Sequence, residues 1–311
     1  MGKNKVRSVL LVADRPFWAF DHRAKDMMNV PMEQIQFQLK YFPQVTLSDS
    51  NRFDLIYAMS LDIALKIHKL GVPLNKIAAG ITSRRIFEKH MTDQKKFKPE
   101  FITFIRELRG VNSASSEFIH EFQHIRTVHK TPVGVNEKLF TPMKKNNHTP
   151  QLLKVGWVGR IDRIDNRELK GYDMVISALK GLPVQLEVRS LFDNYAPRDK
   201  MVEFYQSLDL FICSSRSEHI PMPILEAASS GIPIITTKVG IVPELIKSHR
   251  NGIIVKRRRS AIRKAVQYMI DHPDERKAMG ANVRQSVLKC WKWTDCAKVW
   301  EQFFMSLMEK E

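Results

Sequence analysis

Several features that define whole classes of protein are missing from this chain of 311 residues. Its three cysteines, Cys213, Cys290 and Cys296, are odd in number and show no C-x-x-C spacing, which argues against a disulfide framework and a structural metal site. No apolar stretch approaches the ~20 residues that a membrane-spanning helix needs. The VLLVA run near the start is too short for the apolar core of a signal peptide, and Asp14 follows it at once. We therefore expect a cytoplasmic protein in a reducing compartment, with peripheral association at the inner membrane surface left open.

Further absences narrow the architecture. The sequence contains no internal repeat, no low-complexity tract and no known nucleic-acid-binding motif, so solenoids, disordered chains and the common DNA-binding modules are not indicated. The composition is 43% hydrophobic and 27% charged, which is typical of a globular protein. A chain of this length is long for one core and suits two domains of ordinary size.

Short apolar runs alternate with helical or loop segments along the whole chain. Nine of these runs predict buried strands, at residues 6–12, 53–58, 77–79, 110–114, 152–158, 184–188, 208–213, 232–236 and 252–255. Such alternation predicts two α/β halves with parallel sheets and right-handed crossovers. The polar, turn-rich segment 141–150 is the best candidate for the linker between the halves.

The most informative segment spans residues 213–246, because it places two carboxylates at the mouth of an α/β unit. The strand predicted at 208–213 is followed by a polar loop that ends in Glu218, and a helix is predicted to begin near Pro223 and to carry Glu226. Open parallel sheets bind ligands at the carboxyl ends of their strands, where helix N-termini offer unpaired N–H groups to anions. This loop is therefore predicted to form a ligand site.

The segment resembles the donor site of the retaining glycosyltransferases of family four (glycosyl transferases group 1), which have the GT-B fold. The family's E-x7-E motif matches at Glu218 and Glu226, and the pattern after it matches at Ala227, Gly231 and Pro233. Further segments resemble the family in the same order, and these are residues 111–122, 133–142, 155–179 and 289–303.

The resemblance implies an α/β protein of GT-B fold, with two Rossmann-like domains that face each other across a cleft. We expect an N-terminal acceptor-side domain at 1–145, a nucleotide-sugar donor domain at 146–290, and a C-terminal helix at 291–311 that packs back on the N-terminal domain. The implied activity is that of a retaining hexosyltransferase, which moves a sugar from a UDP- or GDP-sugar to an acceptor without a cofactor. Metal independence follows from the family and from the lack of a D-x-D triplet, since Asp162 and Asp165 are spaced differently.

The resemblance implies that the two motif glutamates bind different parts of the donor. Glu226 corresponds to the residue that binds the ribose hydroxyls, and a carboxylate can accept both hydrogens of a vicinal diol. Glu218 corresponds to the residue near the donor sugar and the reacting centre. The structural alternatives are a solvated helix glutamate for Glu226 and a loop carboxylate paired with Arg216 for Glu218.

The predicted phosphate site lies upstream of the motif. Arg160, next to Gly159, and Lys170 match the family's basic pair, whose charge stabilises the diphosphate as the glycosidic bond breaks. The inserted residues 161–169 separate the two, so Lys170 is alternatively an ordinary exposed lysine. Backbone N–H groups at the start of the helix complete the expected donor contacts, which come from His219, Ile220, Pro221 and Met222. The family more often has EGFG where this chain has EHIP, and we interpret His219 as a wall of the pocket and not as a base.

The first domain departs from the family. The histidine that many relatives carry after a strand has no counterpart here, where the strand end is Gly80, and the usual glycine-rich loop is replaced by ADRPFWAFDHRAKDM. Possible first-domain contacts to donor or acceptor are Asp14, Arg15, Asp21 and His22. The alternative is a turn that leads into a helix, with Trp18 and Phe20 packed inside.

The net charge of +17 bears on the partners. Residues 1–140 hold 22 basic and 14 acidic residues, and residues 141–311 hold 28 and 19, so the excess is spread over both halves, with a run of four at 256–259. A basic surface concentrates anionic partners. We expect an envelope or lipid-linked glycan at an anionic membrane surface as acceptor. The alternatives are a phage-type enzyme that glycosylates modified bases in DNA, a basic surface without a polyanionic partner, and a catalytically silent nucleotide-sugar-binding protein. A GT-B epimerase or phosphorylase is a further alternative.

Overall fold

The computed structural model describes residues 6–143, 152–190 and 196–309, and the chain divides into two compact units. Unit 1 comprises Met1–Gly134 and Trp293–Glu311, and unit 2 comprises Val135–Lys292. The boundary therefore falls before the predicted position at residue 145. The reason is Phe140, which is buried against Tyr205 of unit 2 and whose carbonyl accepts a hydrogen bond from Ser229 Oγ at 2.7 Å. Most of the predicted linker 141–150 lies outside the described residues.

The strands of the described residues form two sheets. They are β1 (Arg7–Ala13), β2 (Ile35–Tyr41), β3 (Leu55–Ala58), β4 (Ile77–Gly80), β5 (Gly110–Ser113), β6 (His129–Lys130), β7 (Leu153–Gly159), β8 (Val184–Ser190), β9 (Leu210–Cys213), β10 (Ile234–Thr237) and β11 (Ile253–Val255). The nine strands predicted from apolar runs are all present, and β2 and β6 are additional.

Helices connect these strands. They are α1 (Ala19–Met28), α2 (Asp49–Arg52), α3 (Leu61–Lys69), α4 (Arg84–Glu88), α5 (Pro99–Glu107), α6 (Ser116–Phe122), α7 (Ile164–Lys170), α8 (Tyr172–Leu179), α9 (Arg198–Ser207), α10 (Met222–Ser229), α11 (Val242–Leu245), α12 (Arg259–Asp271), α13 (Pro273–Cys290) and α14 (Trp293–Met308). No helix within the described ranges is both long enough and apolar enough to cross a membrane.

The sheet of unit 1 has six parallel strands in the order β2-β1-β3-β4-β5-β6. The central strands β1, β3 and β4 contain continuous apolar runs because helices cover both faces of a parallel sheet, whereas β5 has the sequence GVNS with Asn112 and Ser113 buried. The edge strand β2 instead alternates apolar and polar residues as IQFQLKY, with Ile35 buried and Gln36 exposed. The strand order reverses between β2 and β3, on either side of β1, which makes the carboxyl end of β1 a topological switch point.

The last helix, α14, belongs to unit 1 although it follows unit 2 in the chain. Its buried face carries Trp300 and Phe304, whose rings meet the ring of Tyr57 edge to face at 5.5 and 5.4 Å. Such pairs contribute about 0.5–1.5 kcal/mol each beyond the burial of their area. The helix therefore completes the core of unit 1 and is not an appendage.

Unit 2 has a five-stranded parallel sheet in the order β11-β10-β9-β7-β8. Its core contains the fully buried Val155, Trp157, Leu210 and Ile235. Because β7 pairs with β8 on one side and with β9 on the other, the strand order reverses there, and the carboxyl ends of β7 and β9 form the switch point of unit 2.

Candidate functional site

The candidate site lies at the switch point of unit 2. Strand β7 ends at Gly159 and is followed by Arg160, while β9 ends at Cys213 and is followed by the loop that contains Glu218. Ligands of open α/β sheets bind in the crevice outside the strand ends at such a point. Topology thus brings the residues that the sequence predicted for the phosphate and sugar sites to one edge of one sheet.

Lys170 and Glu218 form an ion pair at the centre of this edge. The Nζ atom of Lys170 contacts Glu218 Oε1, which also accepts a hydrogen bond from Ser215 Oγ at 2.7 Å. The side chains are only 26% and 16% exposed. Burial lowers the pKa of Lys170, but the Glu218 carboxylate outweighs burial, and the pKa is raised overall. Lys170 is therefore a charged site residue and not the exposed lysine of the alternative prediction.

The position of Lys170 depends on the inserted segment between it and Arg160. Residues 164–170 form helix α7, which ends at Gly171 in the left-handed conformation with φ of 73°. Ser214 Oγ donates hydrogen bonds to the carbonyls of Lys170 and Gly171 at 2.7 and 3.1 Å. A Cβ atom at Gly171 would lie 2.6 Å from the Ser214 carbonyl oxygen. Glycine thus lets the end of α7 dock on the β9 loop, which sets Lys170 beside Glu218 despite the insertion.

Arg160 is held next to the end of β7 by the carboxylate of Asp162. Its Nε and Nη2 atoms donate to the two oxygens of Asp162 at 3.0 and 2.7 Å. This pairing raises the pKa of Arg160 and lowers that of Asp162. The charge of Arg160 also acts to lower the pKa of Lys170, so both cations contribute to the same local potential. At Gly159, a Cβ atom would lie 2.4 Å from the Trp157 ring, which explains the glycine before Arg160.

Glu226 lies on α10 and accepts a hydrogen bond from the hydroxyl of Tyr205 at 2.8 Å. Tyr205 is fully buried, and burial together with the Glu226 carboxylate raises its pKa well above the ordinary value of 10.0. Tyr205 therefore stays protonated, and its hydroxyl donates the hydrogen bond that orients Glu226. Glu218 does not pair with Arg216, which forms its ion pair with Glu168 instead.

The loop between the two glutamates packs tightly on its neighbour. The backbone carbonyl of His219 accepts a hydrogen bond from the Ile241 amide at 3.2 Å, and its side chain is buried. A Cβ atom at Gly240, where φ is +47°, would lie 2.0 Å from that carbonyl oxygen. The other residues predicted to offer backbone contacts are Ile220 and Pro221, at the end of this loop, and Met222, the first residue of α10.

The predicted first-domain residues lie at the switch point of unit 1. Asp14 follows β1 and is half-buried, and its Oδ1 atom is buried without a hydrogen-bond partner among the described residues. Burial raises its pKa, although hydrogen bonds and nearby cations oppose the shift. Arg15 is exposed and its guanidinium stacks 3.9 Å from the Trp18 ring, and the half-buried His22 lies in the first turn of α1.

The structure gives Asp21 a different role from the predicted ligand contact. Its carboxylate is fully buried and accepts hydrogen bonds from the Phe17 amide, Lys25 Nζ and Tyr41 OH at 2.7, 3.0 and 2.8 Å. Its oxygens are thus engaged in fixing the loop after β1, where Phe17 has a positive φ of 63°. The correction follows from burial, which the sequence pattern of this loop did not reveal.

Three residues that the sequence analysis did not assign support the site. Tyr205 holds Glu226, Ser215 holds Glu218, and Arg257 Nε donates to the Ser214 carbonyl at 3.0 Å. Tyr205 and Arg257 lie 21 and 43 residues from these partners and in other elements, so no local pattern marks them, whereas Ser215 precedes Glu218 by three residues in the same loop. Within the part of the chain that the structure describes, no group of three or more His, Cys, Asp or Glu side chains is placed to hold a metal ion.

Comparison with known families gives one match within unit 2. Residues 182–286 match the family model described as "Glycosyl transferases group 1". This range contains both motif glutamates, Tyr205 and Arg257.

Curated relatives are distant. The putative glycosyltransferase YtcC of Bacillus subtilis is 24% identical over 301 residues, which cover 83% of this chain and 74% of YtcC. A GDP-mannose-dependent alpha-mannosyltransferase of Mycobacterium tuberculosis is 27% identical over 53% of this chain and 48% of its own length. The chain thus spans about half the length of the second relative.

Solved structures resemble nearly the whole chain. Sucrose-phosphate synthase from Thermosynechococcus elongatus superposes with a TM-score of 0.77 at 14% identity, over 98% of this chain and 100% of that one. Anabaena Alr3699/HepE, solved with UDP and glucose, gives 0.75 at 13% identity over 96% and 100%. These likenesses confirm the predicted GT-B fold with two Rossmann-like units. Within this GT-B fold, residues 182–286 are similar to the group 1 glycosyltransferases.

Proposed function

We propose that this chain is a retaining, metal-independent glycosyltransferase that moves a hexose from a UDP- or GDP-sugar to an envelope or lipid-linked glycan. The observation that carries the proposal is the Lys170–Glu218 ion pair beside Arg160, at the switch point of the unit that matches the group 1 family. Similar proteins support a nucleotide sugar as donor, since one relative is GDP-mannose-dependent and HepE was solved with UDP-glucose.

The proposed donor contacts follow from the chemistry of each side chain. Glu226, held by Tyr205, accepts the two ribose hydroxyls, which leaves specificity for the base to other groups. Arg160 and Lys170 bind the diphosphate, and the N–H groups of the first turn of α10 add a positive potential. As the bond between sugar and diphosphate breaks, negative charge grows on the leaving group, and these fixed cations stabilise it.

The ion pair also defines what Glu218 does in the absence of donor. Glu218 keeps the half-buried Lys170 charged and aligned, so the cation needs no reorganisation when a phosphate arrives. In the proposed complex, Lys170 donates hydrogen bonds to the diphosphate in place of its contact with Glu218. The released Glu218 oxygen is then available to accept hydrogen bonds from the donor sugar.

Asp14 is the proposed contact of unit 1 to the acceptor. A buried carboxylate oxygen without a partner costs folding free energy, and such costs are retained where function needs the group. A sugar or polyol hydroxyl would satisfy this oxygen as a hydrogen-bond donor. We place the reaction at the cytoplasmic face of a membrane, in agreement with the net charge of +17.

Thermal unfolding with a panel of nucleotide sugars tests the proposal. Binding at a ligand concentration 100 times Kd stabilises the folded state by about 2.7 kcal/mol and raises the melting temperature. We expect UDP- or GDP-sugars to do so and the best of them to be hydrolysed slowly without acceptor. Stabilisation without hydrolysis or transfer would instead indicate a silent nucleotide-sugar-binding protein. No stabilisation by any nucleotide sugar would overturn the donor assignment.

A further inference from the structure

A second polar site lies beside the donor residues, in a cavity of about 350 Å³ at the carboxyl ends of β9, β10 and β11. We call it the basic cavity and define it by its polar lining, which consists of Ser215, Arg216, Thr237, Lys238, Lys256 and Arg257. Four of these six side chains are cationic. The volume is at the small end of the range for ligand pockets, which suits one small anionic group better than a whole nucleotide.

The charges of the basic cavity are poorly compensated by the protein. Arg216 pairs with Glu168, whereas Lys238, Lys256 and Arg257 have no carboxylate partner within the described ranges. Burial lowers the pKa of Arg257, and the nearby charge of Arg216 lowers it further, while the carboxylate of Glu168 opposes both effects without reversing the shift. Like charges gathered in this way repel one another, and an anion in the cavity would relieve that repulsion.

Arg257 is held in a fixed position within this group. Its Nε atom donates to the Ser214 carbonyl at 3.0 Å, and its Nη2 atom contacts the Glu168 carbonyl. A guanidinium carries five N–H donors in a rigid fork, so these two contacts leave further donors for a ligand. The exposed Lys238 and Lys256 add mobile ammonium groups on the adjoining loops. A fixed fork with flanking lysines is an arrangement that suits phosphate.

The basic cavity is separate from the proposed diphosphate site but connected to it. Arg160 and Lys170 lie at the ends of β7 and α7, whereas the cavity lies across β9, β10 and β11. Ser215 belongs to both places, because it lines the cavity and its hydroxyl donates to Glu218. An anion in the cavity therefore sits next to the loop that carries the proposed sugar-binding carboxylate.

We propose that the basic cavity binds a phosphate group carried by the acceptor and so positions the acceptor beside the donor sugar. This inference rests on the proposed function only in naming the acceptor as the source of the phosphate. The phosphate ester belongs either to a soluble sugar or polyol phosphate or to the headgroup of a phospholipid.

Calorimetric titration of the full chain with inorganic phosphate and with glycerol 3-phosphate tests the site. The test variant is Lys238→Ser/Lys256→Ser, because neither lysine belongs to the proposed donor machinery. The matched control is Lys264→Ser/Lys277→Ser, which removes the same charge from exposed positions of α12 and α13. We expect phosphate affinity to fall about tenfold or more in the test variant, as two charge-assisted contacts are lost, and to change less than about twofold in the control.

A third variant separates the two phosphate sites. In Arg160→Ala, UDP and GDP binding should weaken while the phosphate site that needs Lys238 and Lys256 remains. Loss of phosphate binding in Arg160→Ala with none in the test variant would overturn the proposal, because phosphate would then occupy only the donor site. Equal losses in the test and control variants would overturn it as well. Nucleotide-sugar binding is measured on the same samples, so failure of the donor assignment is seen independently.

Vesicles distinguish the two sources of the phosphate. Binding to phosphatidylglycerol vesicles, relative to phosphatidylcholine vesicles, should depend on Lys238 and Lys256 if a lipid headgroup enters the cavity. A lysine-dependent response to glycerol 3-phosphate without one to vesicles would support a soluble acceptor. If neither probe depends on the two lysines, the proposal is wrong.

Discussion

The two switch points of this molecule obey the same topological rule and are built in different ways. In unit 2, the strand ends carry opposite charges that are paired with one another, Lys170 with Glu218 and Arg160 with Asp162. In unit 1, the corresponding place carries Asp14, a half-buried carboxylate with one unpartnered buried oxygen. The first arrangement is preorganised in the free protein, whereas the second leaves a polar group that only an external partner would satisfy.

This difference indicates which of the two switch points is general and which is particular to this chain. Paired charges on fixed elements suit a substrate part that many enzymes share, such as a nucleoside diphosphate, and residues 182–286 of this unit match the family model. The loop after β1 is organised by Asp21 and Tyr41, and it lies outside the residues that match the family model. We therefore expect donor variants to behave alike across relatives and variants of unit 1 to affect the acceptor.

The largest effects should come from the cations of unit 2. Arg160→Ala and Lys170→Ala are expected to lower kcat for donor hydrolysis about 100-fold to 1,000-fold and to weaken donor binding by a smaller factor, because their charge acts most on the departing diphosphate. Steady-state kinetics with the best donor of the panel measures both constants. Arg163→Ala is the control, since Arg163 pairs with Asp165 on the exposed side of the insertion. Normal turnover in Lys170→Ala would place the phosphate elsewhere.

The second effect concerns the ribose. Glu226→Ala should weaken UDP or GDP binding about 10-fold to 150-fold, the equivalent of one charge-assisted hydrogen bond of about 1.5–3 kcal/mol. Tyr205→Phe should have a smaller effect of a few fold, because it loosens Glu226 without removing it. Calorimetry on both variants, with the exposed Glu203→Ala as control, measures the series. Unchanged affinity in a folded Glu226→Ala protein would remove the ribose assignment.

Asp14 and Asp21 of unit 1 should change the free energy of unfolding in opposite directions as pH rises. Burial raises the pKa of Asp21, but its hydrogen bonds to Lys25, Phe17 and Tyr41 outweigh burial and bring the pKa below 3.8. Its stabilisation is therefore present above pH 3.8 and is lost as pH falls through the folded-state pKa. Burial leaves the pKa of Asp14 above 3.8, so its charge destabilises the fold progressively as pH rises from 3.8 through the folded-state pKa.

Urea denaturation at pH 7 and pH 3.5 measures this contrast. Asp21→Asn should lower the free energy of unfolding at pH 7 by about 1.5–3 kcal/mol, the contribution of a charge-assisted hydrogen bond. Asp14→Asn should raise it at pH 7 and have little effect at pH 3.5. The same variant should slow transfer to acceptor without weakening nucleotide binding. A loss of stability in both variants at pH 7 would remove the distinction between the two carboxylates.

The smallest expected effect is that of a chelator. Two basic side chains and the N-terminus of α10 would neutralise the diphosphate, so turnover should be unchanged by EDTA. Donor hydrolysis with and without EDTA, followed by addition of magnesium or manganese, measures this. Turnover that is lost in EDTA and restored by either ion would show that a divalent cation shares the work of Arg160 and Lys170.

The sequence predicted the buried strands well and the edge strand β2 not at all. Continuous apolar runs mark a strand that is covered on both faces, whereas β2 exposes one face and alternates as IQFQLKY, the period-two pattern of a half-exposed strand. Strand β6, with two residues, is too short for any pattern. The division between the units was placed too late because Phe140 packs on unit 2, and packing partners are not local in sequence.

The candidate site was predictable only in part, because some of its contacts are local in sequence and others are not. Glu218 and Glu226 follow the motif spacing, whereas an insertion separates Arg160 from Lys170, and the glycine at 171 indicates the turn that positions Lys170. Ser215 lies in the same loop as Glu218, but Tyr205, which holds Glu226, comes from α9, and the full burial of Asp21 depends on Tyr41 from β2. Knowledge of the missed strand was needed to separate Asp21 from Asp14.

Helix α14 has a consequence for the order in which the protein is completed. Unit 1 is the first to leave the ribosome, but the rings of Trp300 and Phe304 that cover Tyr57 are made only after all of unit 2. Until then, the nascent sheet of unit 1 exposes an aromatic surface that is a target for chaperones and for aggregation. The half of the molecule that is synthesised first is thus the last to be finished.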